Sequence, residues 1–98
     1  MIKVNISNDK IELIGHANYD DYGKDIVCSA ASSIVTTTIN GILTFDKDYI
    51  SYSEKKNNFV IEINTHNEIV DNLINNMINM LKELETNYPK NIKIRKEN

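Results

Sequence analysis

Phe59-Val60-Ile61-Glu62-Ile63-Asn64-Thr65-His66-Asn67-Glu68-Ile69-Val70-Asp71-Asn72-Leu73-Ile74 changes its hydrophobic period halfway along. Up to Ile63 the apolar residues Phe59, Ile61 and Ile63 alternate with Val60 and Glu62, the period of a strand with one buried face. From Val70 the spacing becomes three and four through Leu73, Ile74, Met77, Leu81 and Leu84, the period of an amphipathic helix. Thr65-x-x-Glu68 stands at the switch and fits a capping box, in which each side chain satisfies the other residue's backbone N–H. His66, beside that cap, is expected in solvent. Pro89 closes the helix after Tyr88. A strand followed directly by a helix of this length indicates a sheet covered by helices.

The flanking segments extend this pattern. Tyr49 to Ser53 pairs with 58–64 as a hairpin around Glu54-Lys55-Lys56-Asn57. Ile2, Val4 and Ile6 alternate with Lys3, Asn5 and Ser7. Asn8-Asp9 makes a turn into a second strand over 10–16, with Ile11 and Leu13 on one face and His16 at its end. Residues 17–24 read as a polar and aromatic loop. A helix is expected from about Asp25, with Val27, Ala31, Ile34, Val35, Thr38 and Ile42 as its apolar stripe. Thr36-Thr37-Thr38 weakens its second half, because β-branched side chains lose χ1 freedom in a helix, and Gly41 is a candidate end. Ile92 and Ile94 mark a last short strand. The order is ββαββαβ in one domain, residues 1–98. The fold class is α+β: a two-layer sandwich, its mixed or antiparallel sheet packed against two helices.

Composition narrows the function. The 98 residues are 41% hydrophobic and 26% charged, with a formal net charge of −3. That balance argues against nucleic-acid binding, which needs clustered Lys and Arg. We find no apolar run of the length that spans a bilayer, and the alternating start lacks the apolar block of a signal peptide. The expected location is the cytoplasm, without membrane contact. One cysteine excludes an internal disulfide. His16, His66 and Cys28 lack the paired spacing of a zinc site, so neither a metal nor a cofactor is expected.

The chemistry is concentrated between His16 and Cys28. A thiolate is the reactive form of cysteine, and a nearby imidazolium or a helix N-terminus favours it. Cys28 is expected in the first turn of its helix, and a loop of this length can fold His16 back beside it. A Cys–His pair has the parts for acyl transfer: attack by sulfur, then protonation of the leaving amine. Amides at the helix start would bind the oxyanion. Asp25 either caps the helix or orients His16. Ser32, one turn after Cys28, leans back over the sulfur. Tyr19 and Tyr22 are candidate contacts for apolar substrate side chains. Two other readings stay open: a structural cysteine in a binding module, and a redox sensor that uses Cys28 alone.

The segment Gly15-His16-Ala17…Tyr22-Gly23-Lys24-Asp25-Ile26-Val27-Cys28-Ser29-Ala30-Ala31-Ser32 resembles the ribosomal-processing cysteine protease family called Prp, or YsxB-like. The resemblance implies a small dimeric α+β enzyme with a Cys–His dyad. It implies a substrate as well: the short N-terminal extension of a large-subunit ribosomal protein, removed before ribosomes mature. By position, His16 becomes the base and acid and Cys28 the nucleophile, with Asp25 and Ser32 in support. Gly15, Ala17, Asn18, Tyr19, Tyr22 and Gly23 fall in or beside a flap over the substrate. The alternative is a ribosome-associated binding module without catalysis. Asn18 stands where the family often has glycine; asparagine tolerates left-handed backbone better than most residues.

Overall fold

The computed structural model describes residues 1–15 and 22–97, with only the backbone at 22–25. The elements are β1 (Ile2–Ile6), β2 (Lys10–Ile14), α1 (Tyr22–Phe45), β3 (Ile50–Lys55), β4 (Asn58–Ile63), α2 (Glu68–Asn87) and β5 (Ile92–Lys96). This is the expected ββαββαβ order. The five strands form one mixed sheet in the order β3-β4-β2-β1-β5. β5 runs parallel to β1, and the other neighbours are antiparallel.

Register follows the alternation in the sequence. Val4 lies opposite Leu13 and Ile6 opposite Ile11, while Ile11 lies opposite Ile61, so their side chains share a face. That face carries the core, in which Val4, Ile11, Ile61 and Ile92 are fully buried against α1 and α2. A slip of one residue in any pair would turn this set toward solvent.

α1 is longer than expected at both ends. It begins at Tyr22, so residues 22–24 belong to the helix, and it runs through Gly41 to Phe45. Its buried stripe is Val27, Ala31, Val35, Ile39 and Ile42; Ile34 and Thr38 are half-buried beside it. Burying four such branched side chains contributes about 6–12 kcal/mol. Three threonines and a glycine cost about 3 kcal/mol in helix propensity, so packing wins. Thr38 Oγ1 also donates to the Ile34 carbonyl (2.9 Å), keeping its hydroxyl satisfied inside the helix.

The segment Ile26–Phe45 has a hydropathy of 1.5 and enough length to cross a membrane, contrary to the sequence expectation. Serine and threonine break up its apolar runs, but no charged residue interrupts them. In this fold one stripe of the helix lies in the core.

α2 departs from expectation at its start. Its N-cap is Asn67, whose side chain accepts from Val70 N at 2.8 Å. Thr65 is not the cap. Its N–H and that of Asn64 donate to the Tyr49 carbonyl (3.2 and 2.9 Å), which holds the chain against the sheet through residue 65. Val70, Ile74, Met77 and Leu81 are buried at the predicted spacing. Tyr88, driven out of helical geometry by Pro89, caps the end with its N–H on the Leu84 carbonyl, 2.8 Å away.

His66 does more than face solvent. Its Nε2 lies 2.7 Å from Asp9 Oδ1 in the β1–β2 turn, and its Nδ1 3.0 Å from Asp71 Oδ1 on α2. Hydrogen bonds to Asp71 and then Asp9, reinforced by both negative charges, raise its pKa above the ordinary 6.5.

Candidate active site

A cleft of about 220 Å³ opens between α1 and the ends of β2, β3 and β4. α1 contributes Cys28 together with Ala31, Ser32, Val35 and Thr36; β2 contributes Leu13, with Gly15 just beyond it; the β3–β4 hairpin contributes Glu54, Lys55 and Phe59. Cys28 is half-buried, a free thiol packed against the edge of the core. Ser32 lies one helical turn further along the same wall and is exposed. The apolar lining suits a side chain stripped of water, and the opening leaves one flank of Cys28 accessible.

Gly15 is held in place by backbone geometry. Its φ is +110°, and a Cβ there would collide with the Met1 carbonyl oxygen. Its N–H donates to the Asn57 carbonyl at 3.0 Å. Asn57 occupies the left-handed region (φ 65°) in the two-residue turn between β3 and β4, a conformation asparagine tolerates better than most residues. Two unusual backbone positions therefore fasten the end of β2 to the hairpin. Gly15, the residue before His16, lies on the wall of the cleft that Cys28 also lines.

His16, Ala17, Asn18 and Tyr19 lie outside the described residues, as do the side chains of Tyr22, Gly23 and Asp25. The expected approach of His16 to Cys28, the flap contacts of Tyr19 and Tyr22 and the orienting role of Asp25 all fall there. The start of α1 corrects three expectations. Asp25 lies inside the first turn, where an acidic residue complements the positive helix end, and is not the cap. Gly23 is helical. Cys28 falls in the second turn, and at a rise of about 1.5 Å per residue the unpaired amides of the helix start lie about 4.5–9 Å back along the axis.

The hairpin side of the cleft escaped the sequence reading. Glu54, Lys55 and Phe59 read there as turn and strand residues, because no local signal shows that a hairpin end will meet α1. The one pointer is Asn57, whose turn preference marks where the hairpin tip must be.

The family model for cysteine protease Prp matches residues 1–93. The ribosomal processing cysteine protease Prp of Staphylococcus aureus is 32% identical over 103 residues, covering 96% of this chain and 97% of its own. That of Mycoplasma genitalium is 43% identical over 56 residues, 57% of this chain and 54% of its own. Among solved structures, S. aureus Prp with a covalently linked product peptide superposes with a TM-score of 0.87 at 25% identity, covering 99% of this chain and 100% of that one. S. aureus Prp with a substrate peptide gives 0.89 at 24% identity with the same coverage, a likeness of fold. With its cysteine lining a cleft and residues 1–93 matched, the chain belongs to the Prp family of ribosomal-processing cysteine proteases.

Proposed function

We propose that this protein is a cytoplasmic endopeptidase that removes the N-terminal extension of a large-subunit ribosomal protein, with Cys28 as nucleophile and His16 as base and acid. The observation that carries the reading is the shared cleft wall: Cys28 and Gly15, the residue before His16, line one opening. The thiolate attacks the scissile carbonyl carbon and forms a C–S bond. The imidazolium then gives its proton to the leaving amine as the C–N bond breaks. Water hydrolyses the thioester, its proton passing to His16 and its hydroxyl to the carbonyl carbon, and sulfur leaves as thiolate. Asp25 orients the imidazole, and Ser32 donates toward the sulfur. Residues 17–21, with Tyr22 at the start of α1, cover the bound peptide, place Tyr19 and Tyr22 against apolar substrate side chains, and exclude bulk water from the thioester until the amine product has left. The working unit is a homodimer.

The test is a synthetic peptide copying the extension, incubated with wild type, Cys28→Ala and His16→Ala and followed by mass. Wild type cuts at one bond. Cys28→Ala leaves the peptide intact, and His16→Ala slows cleavage by at least about a hundredfold. An intact peptide with wild type overturns the peptidase reading, whereas cutting by Cys28→Ala overturns only the mechanism. A structural cysteine, the reading favoured by the packing of Cys28 against the core, predicts that alkylation of Cys28 requires unfolding.

A further inference from the structure

The two edges of the sheet are finished differently. At β5 two of the outward N–H groups are occupied: Ile94 N donates to Glu85 Oε2 (2.8 Å) and Ile92 N to the Tyr88 carbonyl (3.3 Å), both from the end of α2. The β5 edge cannot accept another strand without breaking these bonds. β3, the other edge, pairs among the described residues only with β4.

The pairing of β3 with β4 fixes which groups point outward. Asn64 N donates to the Tyr49 carbonyl, so bonded pairs recur at every second residue of the antiparallel ladder: Ser51 with Glu62, Ser53 with Val60 and Lys55 with Asn58. Ile50, Tyr52 and Glu54 therefore aim N–H and C=O away from the sheet, and among the described residues these groups have no partner. Tyr52 and Glu54 are exposed. An uncovered edge of this kind is a template for an incoming extended chain.

This edge runs into the cleft. Glu54 and Lys55 end β3 and line the opening that holds Cys28. The Tyr52 ring, 55% exposed, stacks on Phe59 of the lining, with centroids 5.9 Å apart. We propose that the peptide substrate docks as an added strand on β3, bonded to the outward backbone groups of Tyr52 and Glu54, and passes beyond Glu54 into the cleft at Cys28. The proposal rests on the peptidase reading and adds where the peptide lies. It assigns sequence preference by alternation: every second substrate side chain faces Tyr52, Phe59 and α1, and those between face Ser51 and Ser53 on the open face of the sheet.

Proline distinguishes this backbone docking from side-chain recognition. Tyr52→Pro removes an outward donor and leaves the β3–β4 ladder intact, a placement sheets accept on edge strands. Tyr52→Ala removes the same ring and keeps the donor. With the synthetic extension peptide as substrate, Tyr52→Pro raises KM about tenfold over Tyr52→Ala, the loss expected for one hydrogen bond, while kcat of the two agrees within about twofold. Thermal melts confirm that both variants fold. A second arm needs no change in the protein: single N-methylation along the peptide weakens binding to Cys28→Ala at alternate positions and is tolerated between them. Equal KM for the two Tyr52 variants, together with N-methyl sensitivity that lacks a two-residue period, overturns the edge docking and leaves the peptidase reading standing. If wild type does not cut the peptide, the peptidase reading falls, and the binding arm still decides the edge. Absence of binding removes both.

Discussion

Gly15 links local backbone strain to the site. Its left-handed φ of +110° and its closeness to Met1 leave no room for a side chain, while its N–H ties β2 to the turn at Asn57. Gly15→Ala is expected to lower stability on the order of 2 kcal/mol, read by urea denaturation, and to cut peptidase activity by shifting the wall beside Cys28. Unchanged stability and activity would show that the strand end has another way to satisfy its geometry. Glycine at 15 was visible in the sequence, but its reason was not: the collision partner belongs to the other end of the β1–β2 hairpin. Cys28 was legible as the chemical centre because it is the sole thiol in a chain otherwise rich in scaffold residues. Its half-burial and its place in the second turn depend on where α1 starts, which no single residue decides.

At the scale of elements, α1 illustrates how packing overrides propensity. Gly41 and three threonines marked its second half as weak, yet the helix continues because Ile39 and Ile42 have a core to enter. Gly41 is helical, and a Cβ there would meet nothing within 4 Å. Gly41→Ala should therefore add about 0.5–1 kcal/mol of stability by removing freedom from the unfolded chain, measured as a raised urea midpoint with an unchanged slope. A loss would mean that the helix surface there is covered by something beyond this chain. The start of α2 shows the reverse case. The cap expected at Thr65 and the cap observed at Asn67 stand two residues apart. The sheet takes the Thr65 amide, which donates to the Tyr49 carbonyl in place of the Glu68 side chain that a capping box requires.

At the scale of the whole molecule, His66 joins parts that are far apart in sequence. It bridges Asp9 in the first turn and Asp71 on the second helix, at the end of the sheet where Ile6 and Ile63 lie. Because its folded pKa is raised above 6.5, the folded state binds the proton more tightly than the unfolded chain. The resulting stability is complete below the unfolded value and is lost as pH rises through the folded one. The Tm difference between wild type and His66→Gln should therefore be greatest below the ordinary 6.5 and shrink as pH rises above it. A difference that grows with pH would overturn the bridge. All three side chains are substantially exposed, so added salt should reduce the effect.

Local spacing carried the seven elements and their order, the inward faces of the strands and the buried stripe of α2. The run of residues from Gly15 to Ser32 carried the family. All of these are written in spacings of two, three or four residues, or in a run of neighbours, and such short-range information survives without a fold. Tertiary structure alone decided the strand order β3-β4-β2-β1-β5, the true starts of both helices, the meeting of α1 with the hairpin tip and the contrast between a capped and an open sheet edge. Each of these depends on contacts between residues far apart in the chain, whose free energy appears only once the core has closed, and local pattern has no means of recording it.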